Sequence, residues 1–278
     1  MLVTAETLLD ETRPLILVRI VGTRGSSPRD SGAFMLVTDA AIGGTIGGGR
    51  LEHLAVERAR AMLASGAMRD TFAVPLGREI GQCCGGFVKL DLQRVDGAVR
   101  AGLRAELTRE ADARPHVYVF GAGHVGLALT KCLLLMPVRP VLIDSRAEAL
   151  VGAPGQVETR LLAMPESALA QALAGSAIVV LTHDHALDFL VTSEALAAGR
   201  FAYVGMIGSK TKRAMFRRSI SGSGVTDAAL VCPMGGTTVR DKRPQIIAAL
   251  VAAEIATRLF QDAQVETEIP RPHAAASR

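Results

Sequence analysis

Apolar positions fall into two regimes along the chain. Up to about residue 95, short β-branched runs sit between turn-rich stretches, and residues 14–21 (PLILVRIV), 33–37 and 87–92 predict strands. Between the second and third of these, Leu51, Leu54, Ala55, Arg58 and Met62 recur at helical spacing and predict a helix over 50–63. Residues 97–115 (GAVRAGLRAELTREADARP) are charged and Ala-rich and end at Pro115, which reads as a helix closing the first regime. From His116 onward, continuous apolar runs at 117–120, 140–143, 177–181, 202–204 and 230–231 alternate with helical patterns at 125–135, 167–173, 187–197, 212–218 and 243–259. Short unbroken apolar strands separated by helices imply βαβ units, hence a parallel sheet covered on both faces. The expected class is α/β: a C-terminal Rossmann-like parallel sheet (114–262), a smaller N-terminal α+β domain (1–110) and a flexible tail (263–278).

Composition narrows the function classes. With 49% hydrophobic residues in 278, the chain can bury a sizeable core, which excludes disorder as a class. Aromatic residues make up 4% and Trp is absent, which argues against stacking platforms for single-stranded nucleic acid. The net charge of +4 is carried by scattered Lys and Arg, so it reads as a solvated surface and not as a nucleic-acid footprint. Glu6, Asp10 and Glu11 occupy the stretch where a signal peptide would be apolar, and no apolar run is long enough to span a bilayer. A cytoplasmic protein with no membrane segment is therefore expected. The four cysteines, Cys83, Cys84, Cys132 and Cys232, do not suggest a secreted disulfide framework; Cys132 and Cys232 sit in apolar runs and read as core.

Three constellations carry chemistry. The first is the strand at 117–120 running into Gly121-Ala122-Gly123-His124-Val125-Gly126, with a helix after it and Asp144 closing the next strand. This is the context in which GxGxxG marks a dinucleotide fingerprint. Gly121 permits the tight turn, Gly123 lets backbone amides approach a pyrophosphate, Gly126 permits close helix–strand packing, and Asp144 could accept from a ribose diol. His124 could donate to a phosphate or simply face solvent, and Arg146 could favour a phosphorylated ribose. The competing reading is a Rossmann-shaped domain that binds no dinucleotide.

The second constellation is Gln82-Cys83-Cys84-Gly85-Gly86. Adjacent cysteines can join only by straining the peptide between them, so they should remain thiols. Soft thiolates suit a soft or high-valent metal–sulfur centre, and Arg78 and Lys89 are nearby cations. The bland alternative is two small residues in a tight turn.

The third group consists of loops. Gly25-Ser26-Ser27-Pro28-Arg29 and Gly47-Gly48-Gly49-Arg50 could cradle an oxyanion through backbone amides or could be turn chemistry alone. Thr182-His183-Asp184-His185-Ala186-Leu187-Asp188 follows a buried-type strand and could serve metal binding or hydrogen bonding, with Asp184 as helix cap the structural alternative. Ser209, Lys210, Lys212 and Arg213 open a helix with three cations, an electrostatically awkward arrangement unless an anion is bound there. The spacing does not match a Walker A loop.

Taken in order, GSSPRDSGAFMLV, GGTIGGGRLE, GQCCGG, VFGAGHVGLAL, THDHALD and VGMIGSKTKR resemble the XdhC/CoxI family of molybdenum hydroxylase accessory proteins, over about residues 18–260. Near the C-terminus the family pattern Pro-Ile-Gly-Leu and Lys-x-Pro-Glu-Glu-Ile-Ala is only partly kept, as Pro233-Met234-Gly235 and Lys242-Arg243-Pro244-Gln245. The resemblance implies a cofactor carrier, not an enzyme. It would hold molybdenum cofactor (molybdopterin) and hand it to xanthine dehydrogenase or a related molybdenum hydroxylase. It would also meet the cysteine desulfurase that supplies the terminal sulfido ligand, and form a homodimer. On that resemblance Cys83 and Cys84 become the molybdenum ligands, and the loop residues become cofactor contacts. Two alternatives from other classes stand beside it: an NAD(P)-dependent oxidoreductase built on Gly121–Gly126 and Asp144, and a metal-binding regulator built on His183 and His185.

Overall fold

A computed structural model describes residues 2–77, 85–236 and 238–261. The expected tail lies outside the described residues, as do Gln82, Cys83 and Cys84. The chain forms two compact units that meet in sequence at Asp112–Ala113.

The first unit holds a six-stranded sheet in the order β1 (Leu2–Val3), β4 (Ile42–Gly44), β3 (Phe34–Val37), β2 (Ile16–Arg24), β6 (Phe87–Arg94), β5 (Arg69–Pro75). β1 and β4 are parallel, and the other neighbours are antiparallel. Alternation along the chain decides its two layers. Ile16, Val18 and Ile20 pack with Leu51, Ala55, Ala59 and Met62, the buried stripe of α2 (Gly49–Ser65). Leu15 and Leu17 join Leu8 and Leu9 of α1 (Ala5–Asp10) and Leu103 of α3 (Gly97–Asp112) in a second cluster. The hydrophobic pattern does not predict β5. It is an edge strand with Val74 its only buried side chain, and pairing with β6 makes it a strand.

The second unit is the expected Rossmann-like layer structure. Its six strands run parallel in the order β12 (Leu230–Val231), β11 (Tyr203–Met206), β10 (Ala177–Val180), β7 (His116–Phe120), β8 (Arg139–Asp144), β9 (Glu158–Leu161). The β7, β8 and β10 strands are buried along nearly their whole length, as sheet strands covered on both faces must be. One face packs on α4 (His124–Leu133) and α8 (Pro244–Phe260) through Leu129, Leu133, Val251 and Ile255. The other packs on a 3-10 helix (Pro165–Gln171), α6 (His185–Ala198) and α7 (Lys210–Ser219) through Leu169, Val191 and Phe216. A short α5 (Ala147–Leu150) links β8 to β9. The chain winds outward from β7 through β8 and β9, then returns to β10 on the opposite side. The carboxyl ends of β7 and β10 are thus the point where loops diverge and ligands bind in such sheets. Among the described residues, no helix is long and apolar enough to cross a membrane.

Candidate functional site

At the switch point the three fingerprint glycines have different jobs. A Cβ on Gly121 would lie 2.3 Å from the Leu181 carbonyl oxygen, and one on Gly126 would lie 1.9 Å from the Gly121 carbonyl oxygen. Both must therefore be glycine for α4 to seat against β7 and β10. A Cβ on Gly123 would meet nothing within 4 Å, so this glycine alone faces open space. His124, at the first turn of α4, is exposed.

Asp144 ends β8 beneath this turn, with its side chain 3% exposed. Its Oδ2 accepts from the Ala122 N–H at 2.8 Å and Arg146 Nη2 at 3.1 Å. Oδ1 accepts from the Arg146 N–H and Nε, both at 3.0 Å. Four donors fill the roughly four lone-pair sites of a carboxylate. Burial works to raise the pKa of this carboxyl, but the Arg146 guanidinium and the Ala122 and Arg146 N–H groups outweigh it and hold the pKa below the ordinary carboxylate range. Asp144 therefore pins the glycine turn and has no free acceptor for a ribose. Arg146, expected to greet a ribose phosphate, is spent on Asp144. The groove between Gly121, Asp144, Pro165 and His183 leaves no room for a water-sized molecule.

The Thr182–Asp188 segment follows β10. Asp184 caps α6, accepting from the Ala186 N–H at 2.7 Å, while His183 and His185 are exposed. Asp188 is fully buried and accepts from the Thr182 N–H at 2.9 Å and the Thr182 hydroxyl at 2.7 Å. Its other oxygen pairs with Lys212 Nζ. Arg213 binds Asp227 Oδ2 at 3.0 Å and the Asp227 carbonyl at 3.0 Å. Arg217 and then Arg213 hold the Asp227 carboxyl below its ordinary range. These pairs correct the expectation that the cations opening α7 need an external anion: the protein supplies its own carboxylates. Ser209 caps α7 by accepting from the Lys212 N–H at 3.3 Å, and Lys210 stays exposed without an ion-pair partner among the described residues. No group of three or more His, Cys, Asp or Glu side chains is placed to hold a metal among the described residues. Cys232 is buried and Cys132 half-buried, each in or against an apolar cluster; burial pushes the Cys232 thiol up.

In the first unit the glycine loops meet. Gly86 approaches Ser26 so closely that a Cβ would lie 1.9 Å from the Ser26 carbonyl oxygen, and Gly85 bridges Ser26. A Cβ on Gly47 would lie 2.5 Å from Pro28 Cγ. Leu76 exchanges bonds with Gly85 and Gly86 at 2.8 Å each, joining the described residues on either side of 78–84. The Gly47–Gly49 turn does form an anion nest, but its guest is internal. Glu52 Oε1 accepts from the Ile46 N–H at 3.0 Å, the Gly48 N–H at 2.9 Å and the Thr45 hydroxyl. Arg29 and Arg50 are exposed, with no ion-pair partner among the described residues.

Sequence reasoning missed Glu52 and Asp188 as the internal anions. Glu52, within one helical turn of the Gly47–Gly49 run, carries a signal that could have found it, whereas Asp188, 24 residues from Lys212, carries none. It also missed a cavity of about 740 Å³ beyond β11 and β12, lined by Ile207, Met234, Val239, Ile247 and Leu250 among others.

Residues 117–255 match the family model described as the XdhC Rossmann domain, and residues 8–74 match that of the XdhC and CoxI family. The Escherichia coli (strain K12) protein YqeB, described as uncharacterized, is 28% identical over 265 residues, 90% of this chain. The chain spans 44% of that relative's length. A Bacillus halodurans crystal structure described as a xanthine dehydrogenase shares the fold, with TM-score 0.76 and 19% identity over 95% of this chain and 96% of that one.

Proposed function

This chain belongs to the XdhC/CoxI family, and on that premise we propose that it binds molybdenum cofactor and delivers it to an apo molybdenum hydroxylase such as xanthine dehydrogenase. The observation that carries the reading is the pair of family matches, one on each unit. The protein acts as a carrier and not as a catalyst, and its cargo is held at two chemically distinct ends. Thiolate from Cys83 or Cys84 is the soft ligand for the molybdenum–dithiolene end. Gly85 and Gly86, which follow the cysteine pair in sequence, abut the Ser26 turn, with Arg29 exposed in the same turn. Amide and cationic donors serve the phosphate end. A cysteine desulfurase and a second copy of the chain are the further partners proposed.

The oxidoreductase alternative is the weaker one. A saturated Asp144 and a groove with no room for a water-sized molecule leave little for a dinucleotide, whose pockets ordinarily exceed about 300 Å³. The test is anaerobic purification from molybdate-replete cells, with molybdenum measured by mass spectrometry and pterin by oxidation to its fluorescent derivative. Near-stoichiometric amounts of both are expected. Neither signal, with NAD(P) released on denaturation instead, would overturn the carrier reading.

A further inference from the structure

The second unit holds a sizeable cavity away from the dinucleotide turn. It lies past the carboxyl ends of β11 and β12 against the first turns of α8 and encloses about 740 Å³, within the roughly 300–1,000 Å³ usual for small-molecule sites. Its walls are apolar, from Ile207, Met234, Val239, Ile247 and Leu250. Cations occupy its rim. Arg240 and Lys242 are exposed and make no ion pair among the described residues. The one lining carboxylate, Asp241, is already neutralised: Arg243 donates to it from Nε at 2.9 Å and from Nη2 at 2.6 Å, and from its backbone N–H at 2.8 Å. Arg243 holds the Asp241 carboxyl below its ordinary range.

An apolar chamber with two cations at its mouth that make no ion pair among the described residues matches a heterocycle whose ring faces take apolar contacts and that carries a strong anion. Burying such a body while its phosphate faces Arg240 and Lys242 satisfies both halves of the ligand. At the Gly121–Gly126 turn, by contrast, the neighbouring acid and cation have already consumed each other. We propose that the cavity beyond β11 and β12 binds a phosphate-bearing heteroaromatic small molecule. Resting on the carrier reading, that molecule is the pterin phosphate end of the cargo, which then sits here instead of at the dinucleotide turn.

The test titrates the full chain with two probes: the air-stable pterin monophosphate obtained by oxidising molybdopterin, followed by its own fluorescence polarisation, and adenosine monophosphate, followed by calorimetry. Saturable binding of the pterin phosphate, weakened at least ten-fold in Arg240→Ser/Lys242→Ser and unchanged in the charge-matched Lys131→Ser/Arg218→Ser, is the expected result. Val239→Glu, which places a carboxylate on the apolar wall at an exposed position, should weaken binding independently of the rim cations. Binding of adenosine monophosphate alone, lost in the same variants, would support the cavity but assign it to a nucleotide. Wild-type protein that binds neither probe, or a rim variant that binds like wild type, overturns the inference. The molybdenum content of purified protein separates this failure from that of the carrier reading. Molybdenum present without binding here leaves the carrier with another site, and molybdenum absent removes both.

Discussion

Substituting Asp188 tests the buried pairing that joins α6 to α7. In Asp188→Ala the Thr182 N–H loses its acceptor, the Thr182 hydroxyl keeps only the Asp184 carbonyl, and Lys212, whose side chain is 12% exposed, is left as a charge without a partner. Removing one member of a buried ion pair costs about 3–5 kcal/mol. Lys212 retains some access to water toward which it can relax, so the lower end, about 3 kcal/mol, is expected. With a urea slope of about 2 kcal/mol per molar, that is a fall of about 1.5 M in the unfolding midpoint. Asp188→Asn keeps an acceptor for Thr182 and loses only the charge, so about half that fall is expected. The joint Asp188→Leu/Lys212→Met replacement removes both charges and should recover most of the loss. The assay is tyrosine fluorescence: the chain has no Trp and two Tyr, Tyr118 and Tyr203, both within the second unit. An Asp188→Ala midpoint within about 0.5 M of wild type, or a double variant no better than the single, would refute the argument that this pair is coupled.

The fingerprint glycines should separate under the same assay. Gly126→Ala forces a Cβ against the Gly121 carbonyl oxygen and should cost about 1–3 kcal/mol, whereas Gly123→Ala, with nothing within 4 Å, should stay within about 0.5 kcal/mol of wild type. Equal losses would mean that Gly123 is a packing residue after all. The Asp144 carboxyl, held below its ordinary range, contributes stability that is present above its unfolded pKa of about 3.9 and is lost as pH falls through the depressed folded value. Asp144→Asn should therefore be less stable than wild type at neutral pH, with the gap closing in acid; a gap independent of pH would sink the assignment.

Much of the fold was legible because buried strands and helices impose their own period. The unbroken apolar runs at 117–120, 140–143 and 177–181 became the interior strands β7, β8 and β10. Edge strand β5 escaped that reading because one half-exposed row of side chains leaves little hydrophobic signal, and its identity comes from hydrogen bonds to β6, the next strand in the chain. The same limit applies to charge. Lys212, Arg213 and Gly47–Gly49 look like a basic, amide-rich surface waiting for an anion, since sequence shows which groups are present but not which ones meet.

By itself, then, the sequence determined the two-regime architecture, the glycine turn at Gly121–Gly126, the capping role open to Asp184 and the family resemblance. These depend on local spacing and on residue types that admit few conformations. Only the tertiary structure decided which charges remain unspent. Glu52 fills its own nest, Asp144 locks to Arg146 and Asp188 takes Lys212, leaving Arg240 and Lys242, at the mouth of an apolar cavity, without an ion-pair partner among the described residues. Neutralisation is a matter of a few ångströms between side chains, and for pairs such as Asp188 and Lys212, 24 residues apart in the chain, only folding sets that distance.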